Sequence, residues 1–140
     1  MKCADILLVE DNPGDVALVR EGLRELEHRL EVAESGERAL EFLRARSAAP
    51  ERSMPDVVLL DLNLPGLTGL EVLCRIRSDP DTAALPVVVM TSSDARKDIV
   101  ESYRLHANCY VTKPSSLDEY MRVMRRLGEF WFSVAKLPTD

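Results

Sequence analysis

Cysteine, basic charge and long apolar runs are all scarce in this chain of 140 residues. The three cysteines, Cys3, Cys74 and Cys109, are odd in number, far apart and without a Cys-x-x-Cys pair. That pattern argues against a zinc or iron–sulfur site and against a disulfide framework, and it places free thiols in a reducing cytoplasm. No apolar run approaches the roughly 20 residues needed to span a bilayer. The longest are strand-sized, such as Ile6-Leu7-Leu8-Val9 and Val57-Val58-Leu59-Leu60. The chain enters the first of these directly after Met-Lys-Cys-Ala-Asp, with no signal-peptide pattern. Basic residues number 18 against 24 acidic ones, a net charge of −6. A general nucleic-acid binder needs a basic face to neutralise phosphates, so that class is disfavoured. Internal repeats and low-complexity tracts are absent as well.

The composition that remains, 46% hydrophobic and 30% charged, is that of a globular protein, and the length suits one domain with its own core. Short β-branched runs alternate with stretches of helical period. Ile6 to Val9 reads as a strand broken by Asn12-Pro13-Gly14, where Pro13 suits a first helical turn. Val16, Val19, Leu23 and Leu26 then recur at helical spacing. Leu30 to Ala33 is a second, weaker strand, and Ser35-Gly36 opens a helix carrying Ala39, Leu40, Phe42 and Leu43. The stretch from Ser47 to Pro55 reads as a surface connection. Val57 to Leu60 forms a third strand ending in Asp61, followed by a Leu64-Pro65-Gly66 turn. Leu70, Val72, Leu73, Cys74 and Ile76 mark the next helix. Pro86 introduces a fourth strand, Val87 to Met90. Ile99, Val100, Tyr103 and Leu105 mark a fourth helix. Cys109 to Thr112 is a fifth strand, ended by Lys113-Pro114. Ser116 and Glu119 have capping-box spacing, and a last helix turns Leu117, Tyr120, Met121, Met124 and Leu127 inward.

Strands that are apolar throughout are buried on both faces, as in a parallel sheet with helices above and below. Right-handed crossovers place all their C-terminal ends on one edge, where such sheets bind ligands. The polar residues at those ends are Glu10 and Asp11, Asp61, Thr91 to Ser93, and Lys113. One Asp ending a strand is commonly a helix cap, and Lys113-Pro114 alone is a plain turn. Their joint placement on four of the strand ends favours a site. Three gathered carboxylates repel one another unless a cation neutralises them. Mg²⁺ does so with one or two carboxylates and leaves room for a phosphate oxygen, and the Asn63 carbonyl is a candidate further ligand. Lys113 adds a positive charge and Thr91 a hydroxyl donor, a setting for a transferred phosphoryl group. The carboxylate itself can be the nucleophile, giving an aspartyl phosphate.

The segments Val9-Glu10-Asp11-Asn12, Leu60 to Gly66, Met90-Thr91-Ser92 and Tyr110-Val111-Thr112-Lys113-Pro114 resemble those of response-regulator receiver domains, the phosphoacceptor modules of two-component signalling. The resemblance spans about residues 4 to 127 and implies a flavodoxin-like (βα)5 three-layer sandwich with strand order 2-1-3-4-5. It further implies that Asp61 accepts phosphate from a histidine kinase, that Glu10, Asp11, Asp61 and the Asn63 carbonyl hold Mg²⁺ or Mn²⁺, and that Thr91 and Lys113 bind the phosphoryl oxygens. Tyr110 matches the family's switch aromatic, and Lys113-Pro114 is expected to be cis. A narrower resemblance, in Asn108 to Pro114 and in Phe130-Trp131-Phe132-Ser133-Val134, is to receivers paired with bacterial phytochrome kinases.

The chain divides on this reading into a receiver at 1–128 and a C-terminal extension at 129–140, with no output domain and no membrane contact. Phe130, Trp131 and Phe132 are adjacent, and neighbours on a helix point about 100° apart, so one packed face cannot use all three. Either the helix end folds back over the domain or the three form a homodimer interface with the fourth helix and fifth strand; the latter is preferred. His28 and His106 are isolated, Ser92-Ser93 lacks a nearby base, and Arg122, Arg125 and Arg126 read as a solvated face. An aspartyl-phosphate phosphatase wants an acid two residues after the nucleophile, and position 63 is Asn. A flavin carrier needs a Ser/Thr/Gly-rich loop where Glu10-Asp11-Asn12-Pro13 stands, and a DNA-binding regulator needs more chain than follows residue 127.

Overall fold

A computed structural model describes residues 3–49 and 53–139. Part of the connection expected between 47 and 55 therefore lies outside the described residues, although Ser47 and Ala48 still belong to a helix. In chain order the elements are β1 (Ala4–Val9), α1 (Pro13–Gly22), β2 (His28–Ala33), α2 (Gly36–Ala48), β3 (Val57–Leu60), α3 (Gly69–Ser78), β4 (Val87–Thr91), α4 (Arg96–Arg104), β5 (Cys109–Thr112) and α5 (Leu117–Glu129). A π-helical turn over Phe130–Val134 follows α5. The strands form one parallel sheet in the order β2-β1-β3-β4-β5, so the flavodoxin-like arrangement is present.

The all-apolar strands are buried because both sheet faces are covered. Leu7, Val9, Val58, Leu60, Val87 and Val89 face Ala39, Leu40 and Leu43 of α2 and Val72, Leu73 and Ile76 of α3. Ile6, Leu8, Val57, Leu59, Val88 and Met90 face Val19 of α1 and Tyr120 and Met124 of α5. The weaker second strand is an edge strand, and its alternating exposure explains its mixed sequence.

Several expectations are corrected. Helix α1 stops at Gly22; Leu23 is its buried C-cap, and Leu26 closes the following turn by donating its N–H to the Leu23 carbonyl at 2.9 Å. Leu117, expected inward, is 60% exposed, because it is the first residue of α5 and precedes the turns that lie on the sheet. Cys74 is also exposed. Ser116 accepts the Glu119 N–H at 3.2 Å, while the reciprocal box forms at Thr68 and Glu71 on α3. Among the described residues no peptide bond is cis, so Lys113-Pro114 is trans. Trans is the intrinsically preferred isomer by ~0.5–1 kcal/mol, and from it Lys113 still reaches the carboxylates described below.

Candidate phosphoacceptor site

The strand register builds the site. Val9 lies beside Leu60, and Thr91 beside Thr112. One residue further, Glu10 and Asp61 stand together, tied by the Asp61 N–H on the Val9 carbonyl at 3.1 Å. The Lys113 N–H donates to the Thr91 carbonyl at 2.7 Å, which brings the base of that side chain to the same edge.

Asp61 is 5% exposed and fully engaged. Its Oδ1 accepts from the Thr91 hydroxyl at 2.9 Å and from the Asn63 N–H at 3.0 Å, and its Oδ2 accepts from Lys113 Nζ at 2.9 Å. Lys113 Nζ also donates to Glu10 Oε1 at 2.5 Å and Asp15 Oδ2 at 3.0 Å. The structure thus brings together Glu10, Asp11, Asp61, Thr91 and Lys113. Asp15 is an addition that the strand-end pattern did not point to. Its only sequence signal is its place in the first turn of α1, four residues after Asp11.

Burial pushes the Asp61 carboxyl upward, but the Asn63 N–H, Lys113 and Thr91 outweigh it and hold the group below the usual carboxylate range. Glu10 bears the cost of the crowding. Burial above all, with the Asp61 charge beside it, raises Glu10 to about 7 against the pull of Lys113. Burial opposes the charge of Lys113, yet its hydrogen bonds to Glu10, Asp61 and Asp15 raise its pKa above the ordinary lysine value. The result is an ionised Asp61 beside a carboxyl that shares its proton near neutrality.

Glu10, Asp11 and Asp61 each offer an oxygen within 4.8 Å of the others. An all-oxygen set of this kind suits a hard divalent cation, whose charge would offset the three gathered carboxylates. The Asn63 N–H donates to Asp61 Oδ1, which sets Asn63 next to Asp61.

Tyr110 sits beside the site on β5. Its hydroxyl donates to the Ser93 carbonyl at 2.7 Å, two residues past Thr91, and its N–H donates to the Tyr103 hydroxyl at 3.2 Å. Phe130, Trp131 and Phe132 are not part of this site. Trp131 and Phe132 are half-buried against the α1–α5 side of the core, Phe130 is 50% exposed, and Leu137 beyond them is buried. The chain end therefore does fold back over the domain.

Residues 6–125 match the response regulator receiver domain. The chain is 39% identical over 135 residues to response regulator Rcp1 of Synechocystis sp., covering 95% of this chain and 92% of Rcp1. It is 37% identical over 135 residues to the probable methanogenesis regulatory protein FilR2 of Methanothrix harundinacea, covering 95% and 86% of the two chains. The phosphorylated cyanobacterial phytochrome response regulator RcpA superposes with a TM-score of 0.89 at 40% identity, over 98% of this chain and 99% of that one. The Mn²⁺-bound form of Rcp1 superposes with a TM-score of 0.88 at 39% identity, over 96% and 99%. Sequence and architecture agree over nearly the whole chain, and the protein belongs to the response regulator receiver domain family, the phosphoacceptor switches of two-component signalling.

Proposed function

We propose that Asp61 takes the phosphoryl group from a sensor histidine kinase in a reaction that depends on Mg²⁺ or Mn²⁺. The observation that carries this is the environment of one carboxylate: an ammonium on one oxygen and a hydroxyl and an amide on the other, beside two further carboxylates. The phosphorus–nitrogen bond of the kinase phosphohistidine breaks as a phosphorus–oxygen bond to Asp61 forms. Lys113 offsets the charge that spreads over the phosphoryl oxygens, and the Thr91 hydroxyl passes its hydrogen bond from Asp61 to one of them. A divalent cation held by Glu10, Asp11, Asp61 and the Asn63 carbonyl supplies further charge neutralisation there. As Thr91 changes partner, the Ser93 carbonyl two residues on moves with it and takes the Tyr110 hydroxyl along. That biases the surface formed by α4 and β5, and the output is binding to another protein in the cytoplasm.

Among the described residues no helix is long and apolar enough to cross a membrane. The kinase is of the bacterial phytochrome type on this reading; the phytochrome response regulators among the similar structures support it. A homodimer is proposed through the chain end. Phe130 and Val134 are 50% and 70% exposed, and Phe130 lines an apolar groove of about 610 Å³ with Val111, Val123, Leu127 and Trp131.

Incubation with acetyl phosphate and Mg²⁺ followed by intact mass tests the chemistry. Wild type should gain one phosphoryl group and Asp61→Asn none; a gain that survives Asp61→Asn refutes the assignment. Light scattering of the Phe130→Ser, Val134→Ser double variant tests the dimer, since neither side chain is needed for the core. An unchanged dimer, or a wild type that stays monomeric at every concentration, refutes that interface.

A further inference from the structure

Lys113 has three donors, and three carboxylates receive them: Glu10 at 2.5 Å, Asp61 at 2.9 Å and Asp15 at 3.0 Å. Two of these acceptors are claimed by the chemistry proposed above. Glu10 belongs to the cation set, and Asp61 becomes the acyl phosphate. Asp15 is the acceptor outside both. Its backbone is set by the start of α1, where Asn12 Oδ1 takes the Asp15 N–H at 3.2 Å. Its side chain is 24% exposed, against 7% for Asp61 and 3% for Glu10, so it is the least desolvated of the three acceptors.

Tyr120, in the first turns of α5 where that helix packs on α1, is 2% exposed, and its hydroxyl has no hydrogen-bond partner among the described residues. Burial foremost, and the Asp15 carboxylate next, push this phenol up to about 12. A buried donor left unused costs stability.

We infer that Asp15 is a positioning residue that tethers the Lys113 ammonium over Asp61 while Glu10 and Asp61 exchange partners. This rests on the reading of Asp61 as phosphoacceptor. The physical need is plain. A lysine ammonium rides on a flexible four-carbon stem, and an anchor that the reaction does not consume keeps it aimed.

The test is the rate of phosphoryl uptake from saturating acetyl phosphate with Mg²⁺, followed by intact mass in wild type and Asp15→Asn. Asp15→Asn should be slower by about tenfold, the size of one charge-assisted hydrogen bond. The ¹H–¹⁵N signal of the Lys113 ammonium, recorded with beryllofluoride and Mg²⁺ as the phosphoryl analogue, should persist in wild type and broaden away in Asp15→Asn. A wild-type rate or an unchanged Lys113 signal in Asp15→Asn overturns the tether. A wild-type protein that takes up no phosphate defeats the receiver chemistry instead, which separates the two failures.

Discussion

Replacing Gly69 with alanine should destabilise the protein and slow phosphoryl uptake, although alanine is the better helix former. At the start of α3 the propensity gain is at most ~1 kcal/mol. Against it, a Cβ at Gly69 would lie 2.3 Å from the Asp61 carbonyl oxygen and 2.5 Å from the Leu62 Cα. Favourable contact begins near ~3.5 Å, so α3 and the end of β3 must part by roughly 1 Å. Both obstructing atoms are backbone, and Gly69 is fastened there by its N–H on the Leu62 carbonyl at 3.0 Å, so no side chain can turn aside. Overpacking of this kind costs ~1–3 kcal/mol, which outweighs the propensity gain. The strain also falls on Asp61 itself, and a misplacement of ~1 Å at a reacting group costs up to ~10²-fold in rate. Urea unfolding gives the stability and acetyl phosphate uptake gives the rate. Gly128→Ala on α5 is the internal comparison. Its Cβ would meet the Leu26 and Leu23 side chains at 3.7 and 3.8 Å, ordinary contact, so it should stabilise by ~0.5–1 kcal/mol. A Gly69→Ala protein as stable and as fast as wild type would refute the argument.

Four further outcomes are expected. Because Glu10 is raised to about 7, protons compete with a divalent cation, and Mn²⁺ affinity by titration calorimetry should fall as pH drops through that value in wild type but far less in Glu10→Gln. In the cation-free protein the same group contributes stability that is full below its ordinary value of 4.5 and lost as pH rises through about 7, so urea midpoints at pH 5 and pH 8 should differ more in wild type than in Glu10→Gln. Arg77 donates to the carbonyls of His106, Ala83 and Leu85 and to Asn108 Oδ1, joining α3 to the turns before β4 and β5; Arg77→Ala should cost about 2–3 kcal/mol in urea, and Arg77→Lys should not recover it because an ammonium cannot match the planar fork. Ellman's reagent should modify the exposed Cys74 fast and Cys109 slowly, since burial raises the Cys109 thiol; Trp131→Ala should speed Cys109, and equal rates in wild type would contradict the packing.

The strands were legible because burial on both faces demands unbroken apolar runs, and Val57–Leu60 and Cys109–Thr112 have the bounds the pattern implied. Helix ends were less legible. Leu23 and Leu26 keep helical spacing after α1 has ended, because a turn can bury leucines as a helix does. Leu117 fits an inward helical pattern but precedes the packed turns. The strand-end residues of the site were visible as motifs. Asp15 was not, because an acid in a first helical turn is ordinary and only the approach of Lys113 from β5 gives it a partner.

By itself the sequence determined the class of fold, the single layer of parallel strands and the residue types at their C-terminal ends, since these follow from local periodicity and chain order. Tertiary structure alone decided the partners. It placed one ammonium among three carboxylates, divided the cost so that Glu10 rises while Asp61 falls, and left the Tyr120 hydroxyl unpaired. It also turned Trp131, Phe132 and Leu137 back onto the core while leaving Phe130 and Val134 outside. Charge–charge energies and burial depend on distances between residues as far apart as 10 and 113, and no local pattern carries those distances.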